Sequence, residues 1–96
     1  MTHDRRDANE ARLVALWTDA GGIWYPQKRE TGFDGIAIFR GRTWLVEIKD
    51  GAKPPSAQAL TDNEKLQRDR IKAHGVKYHI WRSVDDVVAA LEAPPL

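Results

Sequence analysis

The stretch from Asp34 to Lys49 constrains this chain most. Two runs of strand-forming residues, Asp34–Phe39 and Thr43–Lys49, flank Arg40-Gly41-Arg42. A glycine at the tip of so short a connection marks a β-hairpin. Side chains alternate across a strand, so Glu47 and Lys49 share one face of the second run, while Trp44, Val46 and Ile48 share the other. Charges inside an otherwise apolar strand are rarely buried without a partner or a metal. For Asp34 to join Glu47 and Lys49 on one face, paired residue numbers must sum to an odd number. A two-residue turn, Arg40-Gly41 or Gly41-Arg42, provides that register. The hairpin then brings two carboxylates and a lysine to one end of a sheet.

Around this hairpin the pattern predicts a simple order of elements. Leu13, Leu16, Trp17 and Ala20 recur at helical spacing within Asp7–Ala20, and Gly21-Gly22 stops that helix. Ile23–Pro26 is a short strand closed by proline, and Lys28–Gly32 a polar loop. Asp50–Leu60, with Gly51, Pro54 and Pro55, is a second loop. Thr61 opens a helix with Glu64 at capping-box spacing, running to about His74 and stopping at Gly75. Lys77–Arg82 alternates as a strand, and Ser83 caps a last helix from Val84 to about Glu92. The order is α-β-β-β-α-β-α. A polar tail over 1–6, one domain over 7–92 and a tail over 93–96 complete the division.

The chain of 96 residues suits one domain, and 42% hydrophobic content supplies one modest core. A core this small makes a homodimer a reasonable expectation. The net charge of +1 gives no global argument for a polyanionic partner, so any such argument must come from local clustering. There are no cysteines, which excludes disulfides, thiolate zinc sites and cysteine nucleophiles. Met1–Asp7 is charged and lacks an apolar core, and no run approaches a membrane span. These features lead us to expect a soluble, cytoplasmic protein.

Asp34, Glu47 and Lys49 form the set that phosphodiester hydrolysis needs. Mg²⁺ takes one or two carboxylates and keeps waters for a substrate phosphate. Such an ion neutralises phosphate charge and lowers the pKa of a bound water. A lysine orients or helps deprotonate the attacking water and stabilises charge on phosphorus. The plainer alternative is a Glu–Lys pair on a half-solvated strand, and the preceding Asp34 and the element order weigh against it. Glu10 precedes Leu13, Val14 and Trp17 by three, four and seven residues, so it sits on the helix face that packs on the sheet. There it either points into a metal site or complements the helix dipole near Asp7.

These residues resemble the PD-(D/E)xK nuclease superfamily, on Gly32-Phe33-Asp34-Gly35 and Val46-Glu47-Ile48-Lys49. Within it the chain is most similar to small VRR-NUC-type and phage-borne members. That likeness adds Glu10, Lys49-Asp50-Gly51, Leu60-Thr61-Asp62-Asn63-Glu64, Gly75-Val76 and Arg82-Ser83-Val84-Asp85-Asp86, and spans Ala8 to Leu91. The resemblance implies an α/β (α+β), restriction-endonuclease-like core, with a central mixed four-stranded sheet flanked by helices. It implies Asp34, Glu47, Lys49 and Glu10 as catalytic residues. It also implies Asp34, Glu47, the backbone carbonyl of Ile48 and Glu10 as holders of Mg²⁺, with Mn²⁺ substituting. The implied activity is an endonuclease acting on DNA, branched or junction DNA included, and phage or prophage coding fits the same likeness. Two positions depart from the pattern. Phe33 replaces the proline that shapes the turn before the Asp, and Glu64 stands where many relatives carry glutamine, with its capping role a sufficient account of it.

Lys65, Arg68, Arg70 and Lys72 load the second long helix, with Lys28, Arg29 and Lys53 on loops near the expected site. They read either as phosphate contacts for DNA or as a solvated face interleaved with Glu64 and Asp69. Trp24, Tyr25 and Trp81 suit base stacking, but sheet-core aromatics are commoner. His3, His74 and His79 lack ligand spacing and read as surface or strand-edge residues. Besides the nuclease, two other classes fit: a catalytically silent nucleic-acid-binding module on the same scaffold, and a protein-interaction domain. Fold alone does not separate them, because function lives in the site.

Overall fold

The computed structural model describes residues 8–96. The tail over 1–6, His3 and the expected first helical residue Asp7 lie outside the described residues. Helix α1 spans Ala8–Asp19, followed by strands β1 (Ile23–Pro26), β2 (Gly35–Phe39) and β3 (Arg42–Ile48). Helix α2 (Asp62–Ala73), strand β4 (Tyr78–Trp81) and helix α3 (Val84–Leu91) complete the chain. The protein is therefore mixed α/β, with helices flanking a four-stranded mixed sheet. The strands lie in chain order, β1-β2-β3-β4. The first two pairings are antiparallel, and β4 runs parallel to β3. Parallel neighbours need a long crossover, which α2 supplies. No helix among the described residues is long and apolar enough to cross a membrane.

The hairpin closes on Arg40-Gly41, both with positive φ (53° and 84°). Two left-handed residues match the twist of the flanking strands. The register runs from Phe39 opposite Arg42 to Gly35 opposite Val46, so paired numbers sum to an odd value throughout. Each strand continues one step beyond its regular ladder: Asp34 N–H donates to the Val46 carbonyl (2.8 Å) and Lys49 N–H to that of Trp81 (3.0 Å).

Alternation divides the sheet into two unlike faces. Ala37, Trp44, Val46, Ile48 and Trp81 face α1 and α3, whose Leu13, Trp17, Val87 and Ala90 complete the buried core. Trp17 is its centre: its ring meets Trp44 at 5.2 Å and Phe39 at 5.7 Å edge-on, and Trp81 at 5.1 Å tilted. Its buried indole N–H donates to the Ile23 carbonyl (2.9 Å), so no polar group is stranded among the rings. Tryptophan burial at such a position is worth about 3–5 kcal/mol against alanine. On the opposite face β3 presents Leu45 and Glu47, beside Tyr78 and Ile80 of β4, with α2 above them.

Local chemistry explains where the structure departs from the expected elements. The loop over Lys28–Gly32 contains a 3₁₀ turn at Arg29–Thr31, ended by Gly32 at φ 86°. The loop over Asp50–Leu60 contains another at Pro55–Gln58, where proline pre-sets φ. Thr61 and Glu64 form the expected reciprocal capping box of α2. Ser83, expected to cap α3 by its side chain, makes no such bond. Asp86 does the stapling instead, its Oδ2 accepting from the Arg82 N–H (2.7 Å). Trp81 is core and Trp24 packs against it (6.1 Å), whereas Tyr25 is exposed.

Gly35 carries a packing constraint next to the candidate site, because a Cβ there would fall inside the Trp24 indole. Overpacking of this kind costs about 1–3 kcal/mol. We expect Gly35→Ala to lower the urea midpoint by a corresponding amount; an unchanged midpoint would show that Trp24 moves aside freely.

Candidate active site

Three elements meet where β2 begins and β3 ends. Asp34 stands immediately before the Gly35–Val46 pair, and its Oδ2 accepts the Ile48 N–H at 2.7 Å. That bond extends the ladder through a side chain and fixes the carboxylate at the end of β3. Glu47 lies two residues before Lys49 on the α2 side and is only 4% exposed. The Lys49 Nζ is 3.3 Å from Glu47 Oε2 and 3.0 Å from Glu64 Oε1. Glu64 Oε1 also accepts the Thr61 N–H at 2.9 Å, and Thr61 Oγ1 accepts the Glu64 N–H at 3.2 Å. One carboxylate therefore serves both the start of α2 and the lysine of β3.

The charges here are unevenly matched. Burial, then the negative charges of Asp34 and Glu64, push the Glu47 carboxyl up to about 9, against the pull of Lys49. A hydrogen bond with Glu64 favours the proton on Glu47. Burial also opposes the charges of Lys49 and Glu64, but their bonds prevail. Lys49 is raised by Glu64 and Glu47, and Glu64 is lowered by the Thr61 N–H and Lys49. Burial and the same three carboxylates, Glu47, Glu64 and Asp34, raise Tyr78.

Tyr78 forms part of the site wall. Its hydroxyl donates to the Gly32 carbonyl (2.7 Å), and Phe33 packs edge-on against its ring at 6.3 Å. Phe33 thus braces the segment that leads into Asp34. At the other side Asn9, 7% exposed, donates to the Lys49 carbonyl (3.0 Å) and accepts from Arg12 (2.8 Å). Asn9 ties the first turn of α1 to the end of β3. Glu10 follows it and is also 7% exposed, so it lies on the buried side of α1 rather than in solvent. Ile48, whose carbonyl the resemblance puts in the metal set, is 7% exposed and gives its N–H to Asp34.

The structure thus joins Asp34, Glu47 and Lys49 and adds Glu64, Tyr78 and Asn9. Glu64 carried a signal, since the first turn of a crossover helix after β3 packs back over that strand. Tyr78 and Asn9 carried none that a single sequence exposes. The basic residues are dispersed. Lys28, Arg29, Lys53, Lys65 and Lys72 are exposed, while Arg68 is partly buried and pairs with Asp69 at 3.0 Å. Arg68, four residues after Glu64, shares its side of α2, whereas Lys65 and Lys72 face about a quarter-turn away. Arg70 lines a cavity of about 320 Å³ with Leu45, Gln67, Ile71, His74 and Val76. His74 is exposed, and His79 is half-buried on β4 opposite Val46.

The donors at this site are all carboxylate oxygens, the kind that hard divalent cations take. Among the described residues no group of three or more His, Cys, Asp or Glu is arranged to hold a metal ion. Mg²⁺ needs only one or two carboxylates and completes its shell with water, so Asp34 and Glu47 fit that ion. No protein-family model, curated protein or solved structure matches the chain.

The burial of Glu47 has a consequence for stability. An acid whose folded pKa is raised, here from 4.5 to about 9, favours the fold fully below pH 4.5. That contribution is lost as pH rises toward 9. Glu47→Gln removes the ionisation, so the melting temperature of the variant should gain on wild type progressively between about pH 5 and 9. Parallel pH profiles for the two proteins would contradict this assignment.

Proposed function

We propose that this chain is a Mg²⁺-dependent nuclease of the PD-(D/E)xK kind, hydrolysing phosphodiester bonds in DNA through Asp34, Glu47 and Lys49. The observation that carries the reading is the Lys49 ammonium 3.3 Å from Glu47, at the strand end where Asp34 is bonded to the Ile48 N–H. A largely inaccessible ammonium beside the buried Glu47 carboxylate is expensive as mere scaffolding, because desolvation offsets much of the mutual attraction. The mixed sheet with a helical crossover supports the restriction-endonuclease-like reading of the fold.

Asp34 and Glu47 are the residues that would hold the ion. When bound, such an ion supplies charge neutralisation at the phosphate and acidifies a water. Hydrolysis adds water across a P–O bond, so the nucleophile loses a proton and the leaving oxygen gains one. Lys49 places an ammonium at the same strand end, where it donates hydrogen bonds to phosphate oxygens as negative charge accumulates on them. Tyr78 and Phe33 wall the site on the α2 side, and Asn9 holds the end of β3 in place. Arg68, on the same side of α2 as Glu64, is the basic residue best placed to meet the DNA backbone, which it would position without reading sequence.

The test is cleavage of linear, nicked, flapped and four-way DNA with Mg²⁺ or Mn²⁺. We expect cleavage that EDTA abolishes. Asp34→Ala, Glu47→Ala and Lys49→Ala should each slow it by about 10²-fold or more and stay folded by circular dichroism. Gel-shift binding with no cleavage of any substrate would instead favour a nucleic-acid-binding module.

A further inference from the structure

The capping box explains only part of Glu64. Either glutamate or glutamine closes such a box, because both offer the oxygen that the N-cap N–H needs. Glu64 spends the same Oε1 twice, on the Thr61 N–H at 2.9 Å and on the Lys49 Nζ at 3.0 Å. Charge therefore does something here that the cap does not require. The shared bond sits on the first turn of a helix fixed by its reciprocal cap, so the lysine is tied to a rigid element. The other partner of Lys49 is Glu47, at the longer distance of 3.3 Å, and it is also the residue assigned to the metal. A cation that claims the Glu47 oxygens would weaken that contact and leave Glu64 as the anchor.

We propose that Glu64 is the positioning residue for Lys49: a carboxylate on the first turn of α2 that clamps the ammonium at the end of β3, whatever Glu47 binds. The proposal rests on the reading of Asp34, Glu47 and Lys49 as a phosphodiester-hydrolysing site. Glu64 touches no reacting atom; it acts through the lysine. A positioned cation is effective where charge develops because it needs no reorganisation during the reaction.

Glu64→Gln separates the two duties, since it preserves the cap and removes the charge. Thr61→Ala does the reverse, weakening the cap and leaving the Glu64–Lys49 pair. Two readouts are needed: steady-state cleavage of the best DNA substrate with Mg²⁺, and the ¹⁵N-detected ammonium resonance of Lys49 in metal-free protein. That resonance, assigned by its loss in Lys49→Met, is visible when the ammonium is immobilised and shielded from exchange. For Glu64→Gln we expect a melting temperature near wild type, loss of the Lys49 resonance, and a fall in kcat of about 10- to 100-fold with KM unchanged, the range for groups that orient a functional residue. For Thr61→Ala we expect a lower melting temperature with the resonance and kcat retained. The clamp is overturned if Glu64→Gln keeps the resonance and the kcat, or if Thr61→Ala reproduces its kinetic defect. Should wild type cleave nothing, the nuclease reading falls and the resonance alone decides the clamp.

Discussion

The two faces of β3 have to satisfy opposite demands, and most of the molecule is arranged around that constraint. On one face Trp44, Val46 and Ile48 must be dry, and α1 and α3 make them so with Trp17 as the central ring. On the other, Glu47 and Lys49 are nearly as inaccessible, at 5% and 13% side-chain exposure. Apolar packing stabilises the first face without directional requirements. The second is tolerable only if each charge finds a partner. Glu64 stands where that requirement puts it, 3.0 Å from the Lys49 ammonium.

Chain connectivity makes this possible in few residues. The tight Arg40-Gly41 turn fixes the hairpin register and therefore decides that Asp34 arrives beside the end of β3. The parallel placement of β4 demands a crossover, and α2 is that crossover. Its first turn returns over the strand it has just left and delivers Glu64 to Lys49. The helix needed for topology is thus also the helix that completes the polar cluster. Asn9 does the corresponding job from α1, closing the carbonyl of Lys49.

The sequence made much of this legible, for identifiable reasons. Period-2 alternation in Trp44–Lys49 separated the two faces of β3, and glycine at the tip of the hairpin restricted its register. The Thr61–Glu64 spacing located the start of α2. What the sequence hid depends on three-dimensional meeting. Ser83 had the chemistry of a cap, but its side chain makes no capping bond, and Asp86 instead ties the entry to α3 through the Arg82 N–H. Glu64 was explained so well by the cap that the placement of its helix over β3, which did signal a second bond, went uncredited. Tyr78 read as one alternating strand residue among several, and only its position opposite Leu45, with Gly32 within reach, gives its hydroxyl a partner. Basic residues were legible as a cluster in number but not in direction, since one helix carries Arg68 on the Glu64 side and Lys65 about a quarter-turn from it.

The proposed function depends on Asp34, half-buried just before β2, and the buried Glu47 of β3 forming a seat for a divalent cation. Mn²⁺ titration followed by electron paramagnetic resonance tests it without reference to any substrate. Wild type should bind one Mn²⁺ in competition with Mg²⁺, and Asp34→Asn and Glu47→Gln should each weaken that site severely while leaving the fold unchanged. Mn²⁺ binding that is absent in wild type, or unaffected by both substitutions, would contradict the account.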